Sequence, residues 1–181
     1  MKETPLDPLR LDMQALARRA ATLSGEWPQL QMQRLAAAEL LRADEPPSAV
    51  RWQARGELRA RPGGAAQIWL HLEAHTDVSL QCQRCLMPVR QALSVCRSFL
   101  FVADEAEAER LDEDLEDDVL VLSRTLDLAG LVEDELILAL PLVPRHEQCP
   151  LPLAVPAEPS SEASSHPFAV LASLRGSGGK G

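Results

Sequence analysis

Two periods of apolar and polar residues divide this chain. Near the start, Leu9, Met13, Leu16, Ala17, Ala20 and Leu23 recur at helical spacing. They predict a helix opened by an Asp7 cap with Pro8 at its first position and closed at Ser24-Gly25. Residues 28–42 fit either a short helix or a helix running into a strand, and periodicity does not decide between them. From residue 49 the period becomes two. Val50, Trp52, Ala54, Gly56, Leu58 and Ala60 alternate with Arg51, Gln53, Arg55, Glu57 and Arg59 up to a Pro62-Gly63-Gly64 turn. Next, Ile68, Leu70, Leu72, Ala74, Thr76, Val78, Leu80 and Cys82 take one face, and Gln67, Trp69, His71, Glu73, His75 and Asp77 the other. A third run, Val89 to Val102, groups Val89, Leu93, Val95, Phe99 and Phe101. Alternation joined by short turns predicts an antiparallel meander with one buried face.

Residues 104–118 (DEAEAERLDEDLEDD) show no sustained period and predict a mobile loop, with a short strand over Asp117 to Leu122. Leu128, Leu131, Val132, Leu136, Ala139 and Leu140 predict a second amphipathic helix over 126–140, opened at Thr125 or Asp127 and stopped by Pro141. Glu135 lies on or beside its apolar stripe. A carboxylate there needs a partner, and an arginine from the sheet is the expected one. The fold class expected is α+β: one domain over 1–149, a meander with both helices on its apolar face. Residues 150–167, rich in Pro, Ser and Ala, predict a disordered linker. Residues 168–181 follow as a short apolar anchor and tail. Phe168, Leu171 and Leu174, spaced three apart, form the anchor and are expected to bind a partner, with docking on the protein's own sheet as the other reading.

Charge changes this picture more than composition does. The core must be made of Leu, Val and Ala, because aromatics are 3% of 181 residues and Tyr is absent. The net charge of −9 resides in 104–118, where ten acids meet one arginine. Residues 51–97 are basic, with seven arginines against Glu57, Glu73 and Asp77. Arg51, Arg55 and Arg59 share one strand face, and Arg84 and Arg90 flank the following turn. Such a row fits phosphate contact, and equally a solvated face or a partner for the chain's own acids. Only Trp69 offers an aromatic ring on that side, so stacking on bases has little support.

No apolar run reaches the length of a membrane span, and the N-terminus MKETPLDPLR lacks a secretory signal's apolar centre. A cytoplasmic protein with reduced thiols is expected, with neither a membrane nor a small-molecule substrate as partner. Cys82-Gln-Arg-Cys85 falls at a strand end and can offer two thiolates to one zinc ion; His146 and Cys149 can supply the other half. The plainer reading makes Cys82 a core thiol and Cys85 a turn residue. Cys96 points away from the apolar face. His71, Glu73 and His75 share a strand face without a fourth ligand, which suits solvation better than a metal. No phosphate-cradling loop or catalytic signature occurs, so no catalytic residue is assigned and a non-enzyme is expected.

The CQRC turn (Cys82–Cys85), VEDELILALPLVPRH (Val132–His146), Cys149 and PFAVLASL (Pro167–Leu174) together resemble the YceD family of bacteria and plastids, and PLDPLRL (Pro5–Leu11) fits that family's start. The resemblance implies a ribosome-biogenesis factor for the synthesis, processing or stability of 23S ribosomal RNA. The expected form is a binding or chaperoning module with ribosomal RNA or the pre-ribosomal large subunit as partner. An acidic chaperone for a basic ribosomal protein and an RNA-processing enzyme are the alternatives. Some relatives carry a cysteine-rich segment downstream of the helix; this chain has His146 and Cys149 there.

Overall fold

The computed structural model describes residues 5–40, 48–112, 115 and 117–150. The chain divides into units Met1–Cys149 and Pro150–Gly181, and the fold that follows belongs to the first. The expected linker and anchor fall outside the described residues.

Period two produces the predicted strands. β2 (Ala49–Arg59), β3 (Gln67–Gln81) and β4 (Pro88–Val102) form an antiparallel meander whose register places Trp52 opposite Ala74 and Ala74 opposite Val95. One face carries the core: Val50, Ala54, Leu70, Leu72, Val78, Leu93 and Phe99 are all buried. α1 (Met13–Arg18) and α4 (Leu128–Leu138) cover it with Met13, Leu16, Leu128, Val132 and Leu136. The axis of α1 can come close because β2 has Gly56 there; a Cβ on Gly56 would lie 2.7 Å from the Ala17 nitrogen. Antiparallel bonds between Leu11 and Leu126 tie the chain's start to the segment before α4. Asp127 caps α4 by accepting from Ala129 N and Gly130 N. This is the α+β architecture expected from the sequence, with two elements added.

The first addition replaces the end of the expected N-terminal helix. Asp7 caps only a 3₁₀ turn at Pro8–Arg10, and α1 starts after a second cap, Asp12. Ala20 takes a left-handed φ of 46° and turns the chain into β1 (Thr22–Pro28). Ser24-Gly25 is therefore inside a strand. β1 pairs antiparallel with β2 at the sheet edge, and Trp27 stacks on Trp52 with ring centroids 4.4 Å apart. The segment after β1 is a 3₁₀ turn followed by α2 (Gln33–Ala37).

The second addition corrects the mobile acidic loop. β5 (Asp118–Val121) joins the sheet parallel to β4, giving the order β1-β2-β3-β4-β5. Parallel neighbours need a crossover, and the acidic stretch supplies it as α3 (Glu105–Asp112) on the sheet's other face. Asp104 accepts from Glu107 N at 2.9 Å while Glu107 accepts from Ala103 N, a near-reciprocal cap, and acids favour a helix start. Ala108 of α3 buries against Trp69, Leu100 and Val102. Trp69 is thus 4% exposed and roofed by Arg59 at 4.4 Å. Among the described residues no helix is long and apolar enough to cross a membrane.

Candidate metal centre and outer sheet face

The β3–β4 turn begins with Cys82, whose side chain continues the apolar face of β3 and is fully buried. Leu86 N donates to Cys82 O at 2.8 Å and Leu86 adopts φ 63°, which curls the CxxC turn so that Cys85 faces the same side as Cys82. After α4 the chain returns alongside: Gln83 N donates to Pro144 O at 2.9 Å. This contact delivers His146 and Cys149 to the turn. One ligand atom from each of Cys82, Cys85, His146 and Cys149 lies within 4.8 Å of every other.

The donor set fits zinc. A tetrahedral ion with Zn–S near 2.3 Å sets its sulfurs about 3.8 Å apart, so the cluster needs only a small contraction. His146 Nε2 donates to Pro88 O at 3.0 Å, which leaves Nδ1 with its lone pair toward the thiols, 3.4 Å from Cys85 Sγ. Burial would push the Cys82 thiol up. Backbone N–H groups of His146, Cys85 and Arg84 outweigh it and bring the thiol down to about 5. Cys149 moves the other way, to about 11, through burial and then the Cys85 and Cys82 sulfurs. Three soft sulfurs and one imidazole with no open carboxylate form a closed structural set. Cys96 is exposed on the far face and takes no part.

The outer face between β1 and β4 is polar where α3 does not cover it. Arg51 pairs with Glu26 at 3.2 Å, and Arg90 with Asp77 at 3.1 Å. Arg55 and Arg59 both reach Glu57, at 3.7 and 3.4 Å. Arg84 is exposed in the cysteine turn and pairs with no acid among the described residues. Phe168, Leu171 and Leu174 lie outside those residues.

One constellation on this face has no local signature in the sequence. His71 Nδ1 lies 3.0 Å from Ser98 Oγ, and His71 Nε2 lies 2.7 Å from Glu57 Oε2. The His71 ring and then Arg59 hold the Glu57 carboxyl below its ordinary range. A nucleophilic serine would also need donors for an oxyanion, and the surrounding backbone of β2, β3 and β4 lies within paired ladders. The group is a cross-strand link. His71, Glu73 and His75 form no metal-binding group among the described residues.

The family model described as Large ribosomal RNA subunit accumulation protein YceD matches residues 70–175, which include all four residues of the cysteine–histidine cluster. Pro5–Leu11 lies outside that match. A Haemophilus influenzae protein named Large ribosomal RNA subunit accumulation protein YceD is 41% identical over 107 residues, 55% of this chain. The matched region spans 60% of that relative's length. No solved structure matches the chain. With the family match running from β3 past the cysteine–histidine cluster, the chain belongs to the YceD family.

Proposed function

We propose that this chain promotes accumulation of large-subunit (23S) ribosomal RNA as a non-catalytic RNA-binding module stapled by zinc. The observation that carries the reading is the family match over 70–175, together with the name of the Haemophilus influenzae relative. Contact with RNA phosphates is supported by Arg51 on β2 and Arg90 on β4, which project from the outer face, and by Arg84 at the turn beyond, whereas Arg55 and Arg59 are gathered on Glu57. Cys82, Cys85, His146 and Cys149 would hold the zinc. The ion would supply no chemistry beyond four bonds that fasten the β3–β4 turn to the chain after α4.

A strain lacking this protein should contain less 23S relative to 16S ribosomal RNA and fewer free large subunits, and a plasmid copy should restore both. An unchanged ratio in a strain without a second copy of the gene would rule the reading out.

A further inference from the structure

The outer face carries the same three-residue row twice. In one, Arg55, His71 and Ser98 are direct cross-strand neighbours; in the other, Arg51, His75 and Ser94 are. The rows lie on either side of Gln53, Glu73 and Cys96. On β1 and β3 the second row has Glu26 and Asp77 where the first has Thr22 and Trp69, and on β2 the rows differ in the residue beyond each arginine. Beyond Arg55 stands Glu57, whose carboxylate gathers Arg55, Arg59 and the His71 ring. That row is an anion site filled by the protein's own carboxylate. Beyond Arg51 the equivalent residue is Ala49, which brings no charge. There the surface opens into a pocket of about 380 Å³, lined by Ala49, Arg51, His75, Arg90 and Ser94 among others.

We propose that this pocket seats a phosphate group of an RNA backbone, the external anion taking the place that Glu57 fills in the other row. The inference rests on the reading of the chain as an RNA-contacting factor. Two guanidiniums, an imidazole and the Ser48 and Ser94 hydroxyls suit phosphate oxygens. Among the described residues, Asp77 on Arg90 and Glu26 on Arg51 are acids beside the pocket; their side chains are 44% and 62% exposed. Salt bridges that open to water are weak, so a phosphate can compete with Glu26 and Asp77 for the two arginines. Arg55 and Arg59 are held differently, Arg59 lying also over the Trp69 ring.

The test uses the full chain, a short labelled single-stranded RNA and a series of salt concentrations. Arg51→Gln/Arg90→Gln should weaken binding roughly tenfold and flatten the logarithmic salt slope by about 0.7 for each phosphate that the arginines no longer neutralise. Ala49→Glu, which copies the Glu57 arrangement, should weaken it similarly. Arg55→Gln/Arg59→Gln should change it less than threefold. Melting curves check that each variant is folded. Equal losses from both arginine pairs, or wild-type binding by Ala49→Glu, overturn the pocket while leaving RNA contact standing. No RNA binding by the wild-type chain overturns both readings. A parallel titration with inorganic phosphate at constant ionic strength separates the sources. If phosphate shifts the His75 and Ser94 resonances and RNA does not, the site takes a small anion and the proposal fails.

Discussion

Arg97 Nε on β4 lies 3.3 Å from Glu135 Oε2 on α4, while its Nη2 lies 2.7 Å from Asp118 Oδ2 on β5. Arg97 occupies the register between Val95 and Phe99, on the face that otherwise builds the core. A cation there and a carboxylate on the stripe of α4 each account for the other. Glu135 would not be tolerated alone, because a buried charge without a partner is costly, whereas Arg97 is half-exposed and also holds Asp118.

The two halves of this pair should differ in cost. Burial raises the Glu135 carboxyl and Arg97 opposes the rise. Arg97→Met leaves the carboxylate buried and unpaired, and should lower stability by about 2 kcal/mol, or roughly 4–8 °C in Tm. Glu135→Gln removes that burden and should cost less than about 1 kcal/mol, since Arg97 keeps Asp118. A group raised in the folded state favours folding at low pH and loses that contribution as pH climbs through its folded value. The gap between the two variants should therefore narrow toward about pH 4, near the ordinary carboxyl range. Equal losses at neutral pH would refute the assignment.

Glu133 predicts the opposite pH response. Its carboxylate, 9% exposed by residue, accepts from Arg34 N at 2.7 Å and Leu35 N at 3.2 Å, capping α2 from α4. The Arg34 side chain adds Nε and Nη2 and also reaches Asp134. Burial works against the charge, but these bonds together hold Glu133 below its ordinary range. Glu133→Gln should cost about 2 kcal/mol at neutral pH. A lowered carboxyl contributes stability above its unfolded value, about 4.3, and loses it as pH falls through the folded value. Denaturant unfolding at about pH 7 and about pH 3 checks this: the difference from wild type should be full at the first and clearly smaller at the second. A difference that persists in acid means the cost comes from packing.

Metal removal tests the cysteine–histidine cluster. Protein purified without chelator should carry close to one zinc per chain by elemental analysis. Cys82→Ser should release it, and wild-type protein stripped by chelator should melt roughly 10 °C lower, regaining the loss on adding zinc. Absence of zinc from carefully purified protein would make the four residues a packed thiol cluster.

The sequence alone specifies the β2–β4 meander, because alternation fixes which face of each strand is buried without reference to any neighbour. It likewise determined α4, through the Asp127 cap and the Leu128–Leu136 stripe, and it displayed both halves of the cysteine–histidine set. It also held two overlaid signals: the alternation of Leu23, Gly25 and Trp27, hidden by the helical spacing that ends at Leu23, and the Asp104–Glu107 cap of α3, hidden by the density of acids. The folded arrangement is needed to bring Cys82 and His146, 64 positions apart, into one cluster and to run β5 parallel to β4. It alone buried Trp69 and chose acids for Arg51, Arg55, Arg59, Arg90 and Arg97. The physical reason is range. Periods and caps act over a few residues, whereas an ion pair or a ligand set depends on which distant segments the sheet order and the crossover bring together.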